Sequence, residues 1–217
     1  MLKKRFKRSH ADPCLYYKKD EDGILIILVL YIDDMLLPGK KKSTLNALKQ
    51  HQISAFSMKD LGETDHILGM RTNRNRQEYT LHLSQEKYIE KVLDRFNVAD
   101  AKSLGVPLQP HVRLSEDDCP KDDDAANYMK NVAYASACGS LMVATPPDIA
   151  HVVEVGSRLI ADPGRAHWDA IKSILRYLKG TKGKCLCYEK VPLKLKGFCH
   201  SDMAGDVDTH KSTSGHA

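Results

Sequence analysis

Apolar residues run almost unbroken from Ile24 to Leu30 and again from Met35 to Leu37, with Asp33-Asp34 between the two runs. A stretch apolar on both faces predicts a buried strand over 24–32. The shorter run is its returning partner, and Asp33-Asp34 is the turn. Pro38-Gly39 ends the hairpin, because proline cannot donate to a ladder. Leu15 to Lys18 predicts another strand, closed by the turn Asp20-Glu21-Asp22-Gly23. Ser43 is placed to cap a helix reaching about His51, with Leu45 and Leu48 inward. Short strands are expected near 67–70 and 79–83. Ser84 then caps a helix whose face Tyr88, Ile89, Val92, Leu93 and Phe96 repeats at helical spacing. Residues 103–127 hold Pro107, Pro110, Pro120 and two acid clusters, which predicts a linker. Helices follow over 128–144, 148–161 and 167–179. The last stops at Gly180 and turns Trp168, Ile171, Leu175 and Leu178 to a core. Strands are expected over 184–189 and 193–199.

Composition adds little and excludes some classes. The 217 residues are 42% hydrophobic and 28% charged, with a net charge of +5. That is ordinary for a globular chain large enough to build a core. Residues 1–19 carry seven Lys/Arg against one acid, Asp12, an asymmetry that suits a polyanion partner or a solvated terminus equally. The six cysteines lack C-x-x-C spacing and read as reduced packing residues of an intracellular protein, without zinc. No apolar stretch is long enough to span a membrane, and the basic start lacks the apolar core of a secretory signal.

The chemistry-bearing pattern is Tyr31-Ile32-Asp33-Asp34. Nucleotidyl transfer commonly uses divalent ions bridged by carboxylates, and a hairpin turn fixes such groups on rigid strands. The same spacing also describes a plain acidic turn, where aspartate is favoured.

The surrounding blocks go further. In order they are His10 to Tyr16, Tyr31 to Leu36, Phe56-Ser57-Met58-Lys59-Asp60-Leu61-Gly62, Ile67-Leu68-Gly69-Met70, and Leu83-Ser84-Gln85 with Lys87-Tyr88-Ile89. Tyr134 to Ala137, Pro147 to Ala150, Ile174 to Thr181 and Lys211 to Gly215 follow. Together they resemble the reverse transcriptase region of copia-type retrotransposon Pol polyproteins, over nearly the whole chain. The resemblance implies an α+β fold: a partial polymerase palm over 1–83, with an antiparallel sheet and the YxDD hairpin. A helical thumb and connecting region would fill 84–190, and the first strand of a ribonuclease H-like domain 191–217. It implies Mg²⁺ held by Asp33 and Asp34, which would be catalytic, and an RNA or DNA template-primer as partner. Tyr31, Lys59 and Gly69 would lie on the substrate or nucleic-acid side, Lys59 near pyrophosphate and Gly69 in the primer-grip turn.

Several positions depart from the family pattern. Its first palm carboxylate and the fingers precede Met1, so the chain is expected to be inactive alone. The first ribonuclease H metal ligand is replaced by His200, a poor donor for Mg²⁺. Lys172, Arg176 and Lys179 form a basic stripe at helical spacing. It suits a phosphate backbone or a solvated face equally. The alternative to a polymerase fragment is a non-catalytic nucleic-acid-binding remnant.

Overall fold

A computed structural model of the chain describes residues 6–109, 111–144, 146–191 and 197–216. It is an α+β protein in two compact units, residues 1–63 and 64–217.

The first unit is an antiparallel sheet in the order β1 (Lys7–Arg8), β2 (Leu15–Lys19), β3 (Leu25–Tyr31) and β4 (Asp34–Leu36), with the helix α1 (Lys42–Ala55). Register pairs Tyr16 with Leu28, Lys18 with Ile26 and Leu30 with Met35, so these side chains share one face. Leu45 and Leu48 of α1 pack with Ile26, Leu28, Leu30 and Phe6 there. The opposite face is not sealed. Leu25 and Tyr31 are exposed, and Ile27 and Val29 are half-buried. The expected strand buried on both faces is therefore covered on one, because a single helix supplies the packing. Ser43 does not cap α1: Lys41 holds the N-cap position without a side-chain bond, and the helix runs on to Ala55.

The second unit begins with an antiparallel sheet, β5 (His66–Ile67), β6 (Met70–Asn75), β7 (Thr80–Ser84) and β8 (Leu186–Glu189), in that order. The strand β6 is polar throughout its middle and gives no hydrophobic signal. Ser84 ends β7 rather than capping the next helix, although its hydroxyl still accepts the Glu86 N–H at 3.3 Å. Gln85 occupies the N-cap position, and its amide donates to the Val143 carbonyl at 3.1 Å.

The helices α2 (Glu86–Arg95), α3 (Asp123–Lys130), α4 (Tyr134–Val143), α5 (Ala150–Arg158) and α6 (Arg165–Thr181) enclose the larger core. The face expected on α2 is present: Ile89, Val92 and Leu93 are buried, with Tyr88 and Phe96 packed alongside. Ile171, Ile174, Leu175 and Leu178 of α6 sit at its centre, and Trp168 packs against it. Truncating one such leucine to alanine typically costs about 2–5 kcal/mol.

Three expectations are corrected here. The helix predicted over 128–144 is two, α3 and α4, separated at Asn131-Val132-Ala133. The acids at 122–124 belong to a helix start. Asp122 accepts the Ala125 N–H at 2.7 Å, and Asp123 and Asp124 fall in the first turn, where negative charge offsets the helix dipole. Gly180 lies inside α6. A Cβ there would stand 3.2 Å from the Ser103 Cβ, so its missing side chain admits the 103–104 loop rather than ending the helix.

His167 is fully buried and joins two segments. Its Nδ1 accepts the Gly164 N–H at 2.8 Å, and its Nε2 lies 3.1 Å from the Ser115 carbonyl. That pattern selects the tautomer with the proton on Nε2. Finally β9 (Cys199–Ser201) and β10 (Ser214–His216) form a separate hairpin. Most of the strand expected over 193–199 lies outside the described residues. Cys138 is the buried cysteine among the six free thiols; Cys14, Cys185, Cys187 and Cys199 are exposed and do no core packing. Among the described residues no helix is long and apolar enough to cross a membrane.

Candidate functional site

The carboxylate pair sits on an open hairpin. Tyr31 pairs with Asp34 across the ladder, so the two-residue turn is Ile32-Asp33, and Asp34 is the first residue of β4. The expected Asp33-Asp34 turn is thus shifted by one residue. The buried strand expected through Ile32 is also corrected at its end: Tyr31 and Ile32 are exposed, Ile32 at 88%, as are Asp33 and Asp34. Ile32 has φ = 51°, a left-handed conformation that a β-branched residue rarely adopts. Register places Asp34 on the same sheet face as Tyr31, the face that α1 leaves uncovered.

The donor set suits a hard cation in part. Mg²⁺ accepts one or two carboxylates and takes its remaining ligands from water and substrate phosphates. Asp33 and Asp34 offer such oxygens. Among the described residues no group of three His, Cys, Asp or Glu side chains is arranged to hold a metal.

Lys59 is exposed in the segment after α1. Its neighbour Asp60 accepts from Lys49 Nζ at 2.8 Å and from the Gly62 N–H at 2.9 Å. The Lys49 contact and the backbone donor hold the Asp60 carboxyl below the usual carboxylate range. Gly69 does lie in a turn: Ile67 pairs with Met70, and Leu68 and Gly69 have φ of 51° and 75°. Positive φ at both central residues is the pattern of a type I′ hairpin turn.

The basic stripe on α6 is engaged within the protein. Arg176 Nε donates to the Lys102 carbonyl at 2.7 Å, and Lys179 Nζ donates to the Ala101 carbonyl at 2.9 Å. Lys172 pairs with Asp169 at 2.6 Å. Two of the three cations therefore tether the loop after α2, a role invisible without knowing that the loop returns across the helix.

His200 lies in β9 opposite Gly215. Next to it, Asp202 accepts the Thr213 N–H at 2.8 Å and the Gly205 N–H at 3.3 Å, which folds the 202–213 loop. Asp206 accepts from Thr209 and pairs with Arg158 at 3.2 Å. The Thr209 hydroxyl is the main cause of its lowered pKa.

Comparison with known proteins identifies the family. The sequence model of the family described as reverse transcriptase (RNA-dependent DNA polymerase) matches residues 1–110. A retrovirus-related Pol polyprotein from transposon TNT 1-94 of Nicotiana tabacum is 48% identical over 219 residues, covering 100% of this chain and 16% of that protein. The Pol polyprotein from transposon RE1 of Arabidopsis thaliana is 34% identical over 214 residues, covering 97% of this chain and 14% of its own length. An uncharacterized mitochondrial protein of Arabidopsis thaliana is 35% identical over 191 residues and is itself covered over 76%. No solved structure matches. The chain belongs to the reverse transcriptase region of copia-type retrotransposon Pol polyproteins, and it spans about a sixth of the tobacco relative's length.

Proposed function

We propose that the Ile32-Asp33 hairpin is the metal-holding element of an RNA-directed DNA polymerase, with a template-primer as partner. The observation that carries this reading is the placement of Asp33 at the tip of a rigid ladder and Asp34 on its open face. Bound there, Mg²⁺ would supply charge neutralisation for phosphoryl transfer. The chain's own contribution is position. The β3–β4 ladder fixes the two carboxylates, Tyr31 flanks Asp34, and Lys59 and the Gly69 turn would contact nucleotide and primer strand.

Two carboxylates leave most of an octahedral shell to other groups. Among the described residues no third carboxylate joins Asp33 and Asp34, and the reading includes that this chain alone does not extend a primer. The ribonuclease H-like assignment of 191–217 follows the family pattern, with His200 unsuited to its metal. Primer extension on an RNA template with Mg²⁺, comparing this chain with Asp33→Ala, tests the inactivity. Activity above the variant overturns it. Mn²⁺ titration followed by amide NMR tests the metal site itself. Broadening confined to residues near 31–35, and lost in Asp33→Ala/Asp34→Ala, is the expected result; uniform broadening sinks the assignment.

A further inference from the structure

The second sheet carries exposed aromatic and basic residues where β6, β7 and β8 meet. Register sets Arg74, Leu81 and Tyr188 side by side across β6, β7 and β8. One step toward the strand ends come Tyr79 and Lys190. The Lys190 N–H donates to the Tyr79 carbonyl at 3.2 Å, and its ammonium stands 4.3 Å from the centre of the Tyr79 ring. These residues line a groove of about 490 Å³, within the range of ligand sites.

Three features of the groove point to one kind of ligand. Tyr79 and Tyr188 are 60% and 54% exposed, although a phenol ring gains by burying its faces. Arg74, Arg76 and Lys190 bring three positive charges against one acid in the lining, Glu189. Glu189, paired with Thr80 one residue out of phase with Tyr188, offsets one of these charges and leaves a positive excess. The turn is also held in place. Asn75 Oδ1 accepts the Gln77 and Glu78 N–H groups at 3.0 and 3.2 Å, and Tyr79 has φ = 56°, which an aromatic residue adopts only when its surroundings impose it.

We propose that this face is a stacking platform for single-stranded nucleic acid, with Tyr79 and Tyr188 taking bases and Arg74 and Lys190 taking phosphates. A base has a free π-face only when it is unpaired and unstacked, so the platform selects single strands over duplex. An acidic peptide would use the cations and leave both rings exposed. The platform is separate from the Gly69 turn, which lies at the other end of β6, about 17 Å along the strand. It does not depend on the metal reading, because it binds without divalent cation.

The test is fluorescence anisotropy of a labelled oligothymidylate of about 20 nucleotides in EDTA, across a salt series. Tyr79→Ala and Tyr188→Ala should each weaken binding roughly tenfold, while the Phe variants retain it. Arg74→Gln should flatten the dependence on log salt by about 0.7, the contribution of one single-strand phosphate. The wild-type chain, photo-crosslinked to the same oligonucleotide carrying 5-iodouracil, should yield adducts on peptides holding Tyr79 or Tyr188. That experiment needs no variant to fold. Unchanged binding by folded alanine variants, adducts confined to other peptides, or tighter binding of a blunt duplex would overturn the proposal. Because EDTA removes divalent ions, none of these outcomes bears on the carboxylate hairpin.

Discussion

Tyr31 lies directly across the ladder from Asp34, and the two residues between them make the whole turn. One is Ile32, 88% exposed with φ = 51°. A left-handed conformation costs an L-residue about 1–2 kcal/mol, more for a β-branched one, and an exposed side chain regains little by packing. The tip is therefore strained, while Asp33 makes no contact that folding needs. Ile32→Gly should stabilise the chain by about 1 kcal/mol in urea unfolding, since glycine's entropy offsets part of the relief. A lower midpoint would show that Ile32 is not strained. Asp33→Ala should leave stability within about 0.5 kcal/mol, as expected of an exposed site.

Gly164 and His167 form a second dependent pair. A Cβ on Gly164 would stand 1.8 Å from the Asp118 carbonyl oxygen, so Gly164→Ala must displace backbone. Its cost should reach at least about 2 kcal/mol, at the upper end of overpacking changes. His167→Phe puts a somewhat larger apolar ring in the site and abandons the buried Gly164 N–H and the part-buried Ser115 carbonyl. Each unsatisfied group costs about 1–3 kcal/mol. Chemical unfolding of both variants checks this; wild-type stability in either would break the link between the 115–118 turn and α6.

Much of this fold was legible because local pattern and tertiary demand coincide. The α2 face, the α6 core and the β3–β4 hairpin all follow from spacing alone. Some failures are local, such as the cap positions at Ser43 and Asp122, and others arise from partners that a single segment's pattern does not contain. Gly180 read as a helix stop, but the 103–104 loop packs on it. The polar strand β6 has no apolar alternation and exists because β7 pairs with it. The groove residues Arg74 and Tyr188 meet only after β8 joins β7 across more than a hundred residues. At the candidate site the hairpin was readable, but the exposure of its tip was not. Hydrophobic content marks a strand for burial without saying how many faces have a partner.

Arg176 and Lys179 anchor the loop at 101–104 through backbone carbonyls, and the Leu104 N–H returns a bond to the Arg176 carbonyl at 3.3 Å. A charged donor to a carbonyl contributes about 1.5–3 kcal/mol when dry and less at a partly exposed site. Arg176→Ala should therefore cost about 1 kcal/mol and speed amide exchange in residues 101–104. If exchange there is unchanged while oligonucleotide binding falls, the stripe serves nucleic acid rather than the loop.

Alkaline pH should unfold the chain through its buried phenols. Burial raises the Tyr134 hydroxyl well above its ordinary value; it is buried and donates to the Gly156 carbonyl at 2.7 Å. Burial also raises Tyr88, and the hydrogen bond to Asp148 raises Tyr177. Cys138, beside Tyr134, is raised by burial too. All four favour the protonated form in the folded state, so the unfolded chain releases its protons first. Their stabilisation is complete below the unfolded values, about 8.5 for the thiol and about 10 for the phenols. Above those values it is lost progressively as pH rises, by at most about 1.4 kcal/mol per pH unit for each group. Urea unfolding from pH 7 to 11 should show a plateau, a shallow decline above about pH 8.5, and a steeper one beyond 10. Tyr134→Phe should lose about 1 kcal/mol at neutral pH with its hydrogen bond, yet fall less steeply above pH 10. Parallel curves for the two proteins would remove Tyr134 from the alkaline transition.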